Sequence, residues 1–591
     1  MEKKYQWDLS FIYQSEDDFK KDLEKLKALV TTFSEYEGKL SDDKALEAYL
    51  NKEREVELLL NKLYSYASGL ADLNRKDVTR NAREAEVEEV LNELIEKTSY
   101  FEPEVLSLGE EKIQKFLEKH QDYKDFDFYF KKLFLGSKHV LTADKEKLLA
   151  GYSPITGVSG DLYSTLTVGD YYPTEVTLSG DRKVAVNTAN WTSLIKDEKD
   201  PEDRKKIFEG LYKYYDARKN TYAGMYNLGL KAQLANVKAR GYSSILESHL
   251  EHNQIPTSVY LSLVSAAHEG SAPLKRYYEV RRKALGLTKH RSYDRFLSLA
   301  KSEKQLSYEE AKDLFYKSIE RFPEDFQKKA HEVSKEGVVD VYPSDGKRTG
   351  AYSSGGGGIF PHILLNFLGT LDDAFTLAHE SGHSIHTLYS MESQPILKQN
   401  YTIFVAEIAS TFNEHNLLDY LLKTGDLSKE DKIALLQKEI DEIAATFYRQ
   451  TLFAEYELKA SQLVEEGKQI NYQVLSDIMT SLYKDYYGID ITEEVYKPLV
   501  WCYIPHLFYS PFYVYQYATS FATSLELYKR VNNNVPGAFD KYIGLLKSGG
   551  SAFPIDQVKA AGVDLTTKEP FQAVVKRMDE LVRKLEELLK D

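Results

Sequence analysis

Residues 370–390, TLDDAFTLAHESGHSIHTLYS, carry the pattern His-Glu-x-x-His at His379, Glu380 and His383. In a helix, side chains four apart share a face, about 5 to 6 Å apart at their bases, so both imidazoles can reach one metal ion. Glu380 is rotated off the ligand line and faces whatever water the ion holds. The local sequence favours a helix: Thr370 stands in capping-box spacing with Asp373, and Asp372 and Asp373 fall in the first turn, where the helix dipole favours acids. Leu371, Phe375, Ala378, Gly382 and Ile385 recur at spacings of four and three, which gives one face to bury. Gly382 costs about 1 kcal/mol of helix propensity, and a glycine there can admit another backbone closely.

A catalytic zinc site takes three protein ligands and leaves a position for water. The next helical pattern runs from Phe404 to about Lys423 and presents Glu407 between Val405, Ala406, Ile408 and Ala409. A carboxylate in that setting must be paired or bound to an ion, which makes Glu407 the third ligand. Glu414, two turns on, is placed to orient a ligand histidine. His386 and Ser410 are read equally as orienting groups or as packing.

The chain has 591 residues, 42% of them hydrophobic, enough for a very large core or several domains. It carries 77 basic against 92 acidic residues, a net charge of -15, which argues against a nucleic-acid partner. One cysteine, Cys502, rules out an intramolecular disulfide and suits a reducing compartment. No window approaches the uninterrupted apolar length of a membrane span, and the N-terminus lacks a signal-peptide core. The expectation is a cytoplasmic protein with no membrane partner.

Three long amphipathic runs fill residues 17–101, with alternating charges that read as solvated helix faces. A glycine- and proline-rich stretch follows at 139–166. Residues 167–191 hold the clear period-two alternation, with Gly180 and Asp181 as a turn between Val176, Leu178 and Val184, Val186. Helices resume at Asp200, an N-cap followed by Pro201. His249 and His252 are three apart, but no third ligand accompanies them, and they read as ordinary polar histidines. Before the metal helix, VVDVY and HILLNF flank a loop with glycines at 346, 350 and 355–358. The run PHILLNF is expected to be an edge strand to which an extended peptide adds through main-chain hydrogen bonds. The loop glycines are expected to let that loop move or approach a ligand. Near the C-terminus, His506 with Tyr509, Tyr513, Tyr515 and Tyr517 supplies hydrogen-bond donors within an aromatic, mostly core-forming stretch.

Four motifs in one order, GKRTGAYSSGGGGIFPHILLNF, HESGHSIH, VAEIASTFNE and IPHLFYSPFYVYQYATSFA, resemble the thimet-type zinc oligopeptidases and, within them, the oligoendopeptidase F branch. The resemblance spans residue 110 to the end. It implies a mostly α, two-lobed metallopeptidase with a deep channel and a small sheet beside the site. The segments become an N-terminal helical lobe at 1–110, a small α+β domain at 111–195 and a catalytic domain at 196–591. It implies one Zn²⁺ on His379, His383 and Glu407, Glu380 as general base, and short peptides as substrates. It also assigns stabilisation of the oxyanion to His506 and downstream tyrosines, taken here as Tyr513 and Tyr515. The alternative is a dipeptidyl carboxypeptidase type of exopeptidase, which needs a cation for the free carboxylate, supplied by Arg348 or Lys347.

Overall fold

The computed structural model describes residues 2–590 apart from 143, 146, 147, 150, 151, 153, 154, 156, 303, 425 and 426. Part of the glycine- and proline-rich stretch, including Gly151 and Pro154, therefore lies outside the described residues. The protein is mostly helical, with two small sheets among the described residues. In chain order the elements that matter here are α1 (Glu16–Thr31), α2 (Asp43–Leu73), α3 (Val78–Thr98), β1 (Thr174–Leu178), β2 (Arg182–Val186), α4 (Pro201–Asp216), β3 (Val339–Asp340), β4 (Tyr352–Gly356), β5 (Ile359–Leu364), α5 (Leu371–Ser393) and α6 (Ile403–Thr424). The three N-terminal runs, the hairpin and the metal helix all form where the sequence places them. Among the described residues no helix is long and apolar enough to cross a membrane.

The chain divides into two compact units. The first is Met1–Lys138, Lys304–Gly425 and Leu527–Val563. Its N-terminal helices close on an apolar core through Leu23, Leu26, Leu50, Leu63 and Val87, each at most 2% exposed. The same core takes in Ile359 and Leu364 of β5. The N-terminus is tied to the sheet: Trp7 donates its indole N–H to the Ile363 carbonyl at 2.7 Å and its backbone N–H to Asp340 Oδ2 at 3.3 Å. β5 pairs in parallel with β3, Val339 opposite Ile363, and antiparallel with β4, Ser353 opposite Ile363. The strand order is β3-β5-β4. The expectation of an edge strand at PHILLNF is thus corrected: β5 is central, and the open edge belongs to β4. Gly357 and Gly358, at φ of 58° and 89°, make the tight turn between the two strands, and Gly355 and Gly356 end β4 across a shift in its register.

The second unit is His139–Glu303, Asp426–Glu526 and Asp564–Asp591. It holds the β1–β2 hairpin, with Val176 opposite Val184 and a turn in which Gly180 and Asp181 take φ of 72° and 58°. The loop between the paired Leu178 and Arg182 has three residues, Ser179 to Asp181, and the positive φ values turn the chain back within it. Asp200 caps α4 through the Glu202 N–H, with Pro201 at its first position. Cys502 is fully buried and its thiol is pushed up by burial, so it is an inert core residue.

Helices α5 and α6 of the first unit approach closely. A Cβ on Gly382 would lie 2.5 Å from the Ala409 carbonyl oxygen and 2.7 Å from the Ser410 Cα. No side chain fits there, which explains a glycine inside an otherwise well-formed helix. Asn413 Nδ2 donates to the Ala378 carbonyl at 3.0 Å and joins the same two helices. Replacing Gly382 with Ala forces the helices apart and costs about 1–3 kcal/mol, the usual penalty of overpacking. Gly224→Ala, in a helix interior with nothing within 4 Å, removes a weak helix former and leaves stability unchanged or higher. Equal unfolding midpoints for the two variants would show that the Gly382 contact carries no strain.

Candidate active site

Thr370 caps α5 as its sequence predicts: its hydroxyl accepts the Asp373 N–H while Asp373 accepts the Thr370 N–H. From that start the helix carries His379, Glu380 and His383 past the crossing with α6, which brings up Glu407. The three expected ligands converge. His379 Nε2 lies 3.2 Å from His383 Nε2 and 3.4 Å from Glu407 Oε2, and His383 Nε2 lies 3.5 Å from the same oxygen. A tetrahedral ion with bonds of about 2.0–2.1 Å holds its ligand atoms roughly 3.3–3.4 Å apart. The triangle therefore has the dimensions of one metal coordination face, and it is the group of this kind found among the described residues.

The remaining atom of each ligand is tied down. His379 Nδ1 meets Glu414 Oε1 at 2.6 Å, and His383 bonds the Ala406 backbone carbonyl. Those bonds fix both rings with Nε2 facing the triangle. Ser410 Oγ donates to Glu407 Oε2 at 3.0 Å. Of the residues read as either orienting groups or packing, Ser410 thus orients the Glu407 carboxylate. His386 packs instead, stacked 3.6 Å from the Tyr401 ring with neither nitrogen hydrogen-bonded.

The electrostatics suit a cation. Burial disfavours a charged His379, yet its bond to Glu414 and the charges of Glu414, Glu380 and Glu407 raise it to about 9. Burial and the charge on His379 hold His383 well below the imidazole range, which leaves a neutral ring with a lone pair to give. Glu380 is 6% exposed. Burial raises its carboxyl to about 7; His379 opposes the rise, and Glu407 and Glu414 add to it. A carboxyl near neutrality is poised to exchange a proton with water.

Glu380 also accepts the backbone N–H of Ser353 on β4, and Ser353 Oγ lies 2.7 Å from Ser384 Oγ of α5. The open edge of the sheet is therefore joined to the acid beside the ligand triangle. Sequence reading missed Ser353 because nothing in AYSSGGGG marks which backbone group points outward. The cations expected to anchor a free carboxylate are otherwise occupied. Lys347 is buried on Asp340 Oδ1 at 2.6 Å and on the Tyr342 carbonyl, and Arg348 bonds Asp72 Oδ2 at 3.2 Å with its side chain 56% exposed. His249 bonds Gln233 Oε1 at 3.0 Å, the ordinary polar role expected of it.

In the second unit, His506 and Tyr513 stack with ring centres 5.9 Å apart and planes 9° from parallel. Tyr517 stands edge-on to Tyr513 at 5.7 Å. Tyr515 has a different environment: it is 3% exposed and packs against Tyr260 at 5.1 Å. Tyr509 is 54% exposed, its ring 6.4 Å from that of His506.

Comparison with known proteins agrees with this geometry. Residues 194–577 match the peptidase family M3 model, and residues 104–172 match the oligopeptidase F model. Oligopeptidase PepF of Bacillus subtilis is 34% identical over 99% of this chain and 87% of its own. Group B oligopeptidase PepB of Streptococcus agalactiae is 32% identical over 100% and 98%. The crystal structure of oligoendopeptidase-F from Enterococcus faecium superposes with a TM-score of 0.75 at 27% identity, covering 97% of this chain and 99% of that one. The chain belongs to peptidase family M3, in its oligoendopeptidase F branch, and is a metallo-oligopeptidase.

Proposed function

We propose that this protein is a zinc endopeptidase that cuts internal bonds of short peptides, with Zn²⁺ on His379, His383 and Glu407. The observation that carries the reading is the triangle of 3.2, 3.4 and 3.5 Å between two imidazole nitrogens and one carboxylate oxygen. When bound there, zinc supplies Lewis acidity and lowers the pKa of water toward roughly 7. Glu380 takes the proton of the attacking water and passes it to the leaving amine, a role its raised pKa and its place beside the triangle support. The free edge of β4 offers main-chain groups to an extended peptide, a mode that tolerates varied side chains. His506 and Tyr513 donate to the oxyanion, an assignment that the family resemblance supports. Tyr515, included at first as a second donor, is better read as packing because its ring is buried on Tyr260. The exopeptidase reading lacks a free cation at Lys347 and has no structural observation in its favour.

Three experiments test these assignments. A peptide blocked at both ends is cut internally by the wild type, and cutting falls about 10²–10⁴-fold in Glu380→Gln while bound zinc is unchanged. Cleavage restricted to peptides with free C-termini would contradict the endopeptidase reading. Glu414→Gln keeps the fold and weakens zinc retention by about 10–100-fold against a competing chelator, the usual effect of removing a ligand's hydrogen-bond partner. Unchanged retention would remove Glu414 from the support of His379. Tyr513→Phe lowers kcat more than it raises KM, whereas Tyr515→Phe leaves kcat within a few-fold. The opposite ranking would restore Tyr515 as the donor.

A further inference from the structure

Two buried arginines of the second unit, Arg204 and Arg281, have several acceptors each. Arg204, 3% exposed, pairs with Asp294 at 3.0 Å. Arg281 is wholly buried, and its guanidinium donates to the Tyr277 hydroxyl at 3.1 Å and to backbone carbonyls including that of Asp294, also at 3.1 Å. Three other cations depart from this pattern, of which Lys497 is buried and Arg449 and Arg295 are half-buried. Lys497 is 4% exposed, and its ammonium lies over the rings of Tyr483, Tyr212 and Phe208 at 5.2, 5.5 and 5.8 Å. Arg449 makes one polar contact, from Nη1 to the Tyr483 hydroxyl at 3.3 Å, and otherwise covers Phe453 at 4.7 Å. Arg295 covers Phe296 at 4.5 Å. Among the described residues none of the three has a carboxylate within ion-pair distance.

The nearby acids are engaged elsewhere. Asp441 takes the Tyr277 hydroxyl at 2.7 Å and Gln437 Nε2 at 3.1 Å, and Glu494 takes the Ser292 N–H at 2.8 Å and its hydroxyl. The three charges act together on one phenol. Burial pushes Tyr483 up, but Lys497, Arg449 and Arg295 outweigh it and bring the phenol down to about 8. Burial pushes the Lys497 ammonium below its usual pKa, Arg449 and Arg295 push the same way, and an anion beside them favours its charged form.

We propose that Lys497, Arg449, Arg295 and the Tyr483 hydroxyl form an anion-binding site for a small oxyanion or carboxylate. The guanidinium of Arg449 offers a planar fork of donors, Lys497 a compact charge, and Tyr483 a hydroxyl whose oxygen already accepts from Arg449, which leaves its proton to donate. Lys497, buried over three aromatic rings, acts more strongly than a surface charge would. A free inorganic anion and the carboxylate of a peptide share this chemistry. The site is argued from the second unit alone and stands independently of the roles assigned to Glu380 and the metal ligands.

The test is thermal unfolding of the full-length protein in a buffer whose anions are bulky sulfonates, at constant ionic strength. One arm adds phosphate or sulfate; the other adds an N-blocked dipeptide with either a free or an amidated C-terminus. The wild type gains several degrees in unfolding midpoint, saturably, as expected of a ligand bound by the native state. Lys497→Met and Arg449→Gln lose that gain, and without added anion they unfold no earlier than the wild type, because each removes an unpaired charge. Near pH 8 the anion also lowers phenolate absorbance in the wild type but not in Tyr483→Phe, since it opposes the cations that favour ionised Tyr483. This optical signal tests the site even where a charge variant fails to fold. A response to phosphate or sulfate supports a site for free anions, and one to the free but not the amidated dipeptide supports a site for peptide carboxylate. No saturable response in either arm, or an equal response in the variants, overturns the proposal.

Discussion

The closeness of α5 and α6 at Gly382 is the constraint on which the candidate site depends. Two imidazoles on one helix can share an ion only if a third donor comes from elsewhere, and in the proposed site that donor is Glu407 on a second helix. Its carboxylate reaches the triangle because the α6 backbone passes within 2.5 Å of where a side chain on Gly382 would begin. A wider crossing would leave Glu407 short and Ser410 unable to reach it. The helix propensity lost at Gly382 is thus exchanged for the ligand geometry.

Around that crossing, polarity is arranged so that every charge has a counterpart. Glu414 holds His379, the Ala406 carbonyl holds His383, Ser410 holds Glu407 and the Ser353 N–H holds Glu380. Isolated charges at such depth would neutralise themselves by shifting their protonation. Here the shifts have opposite signs on the two histidines, one driven up by carboxylates and the other down by burial and its neighbour. Three carboxylates beside two imidazoles leave the cluster electron-rich, which favours a divalent cation. The three cations around Tyr483 have the complementary character, and the inference of an anion there follows from the same rule.

Much of this was legible in the sequence where the signal is local. The capping box at Thr370, the i, i+4 histidines and the hairpin turn at Gly180 depend on residues within a few positions, and each forms as expected. Glu407 was readable because a carboxylate among small apolar residues has few explanations. Non-local pairing was not readable. β5 looks like an edge strand until Val339 and Asp340, more than twenty residues earlier, are seen paired to it. Lys347 reads as a free cation until its pairing with Asp340 appears. The choice among the tyrosines was hard to read for another reason. Phe512 takes a positive φ of 55° and breaks the periodicity just before Tyr513, and in a run where nearly every residue is aromatic, hydrophobic contrast cannot tell Tyr515 from Tyr517.

The central claim, that the α5–α6 crossing builds one metal site from two imidazoles and one carboxylate, is tested most directly by X-ray absorption at the zinc edge together with metal stoichiometry. The account predicts one zinc per chain, with two imidazole nitrogens and carboxylate or water oxygens at about 2.0–2.2 Å and no sulfur. In Glu407→Ala one oxygen leaves the coordination shell and stoichiometry after dialysis drops. A sulfur ligand, a single imidazole, or an unchanged shell in Glu407→Ala would contradict it.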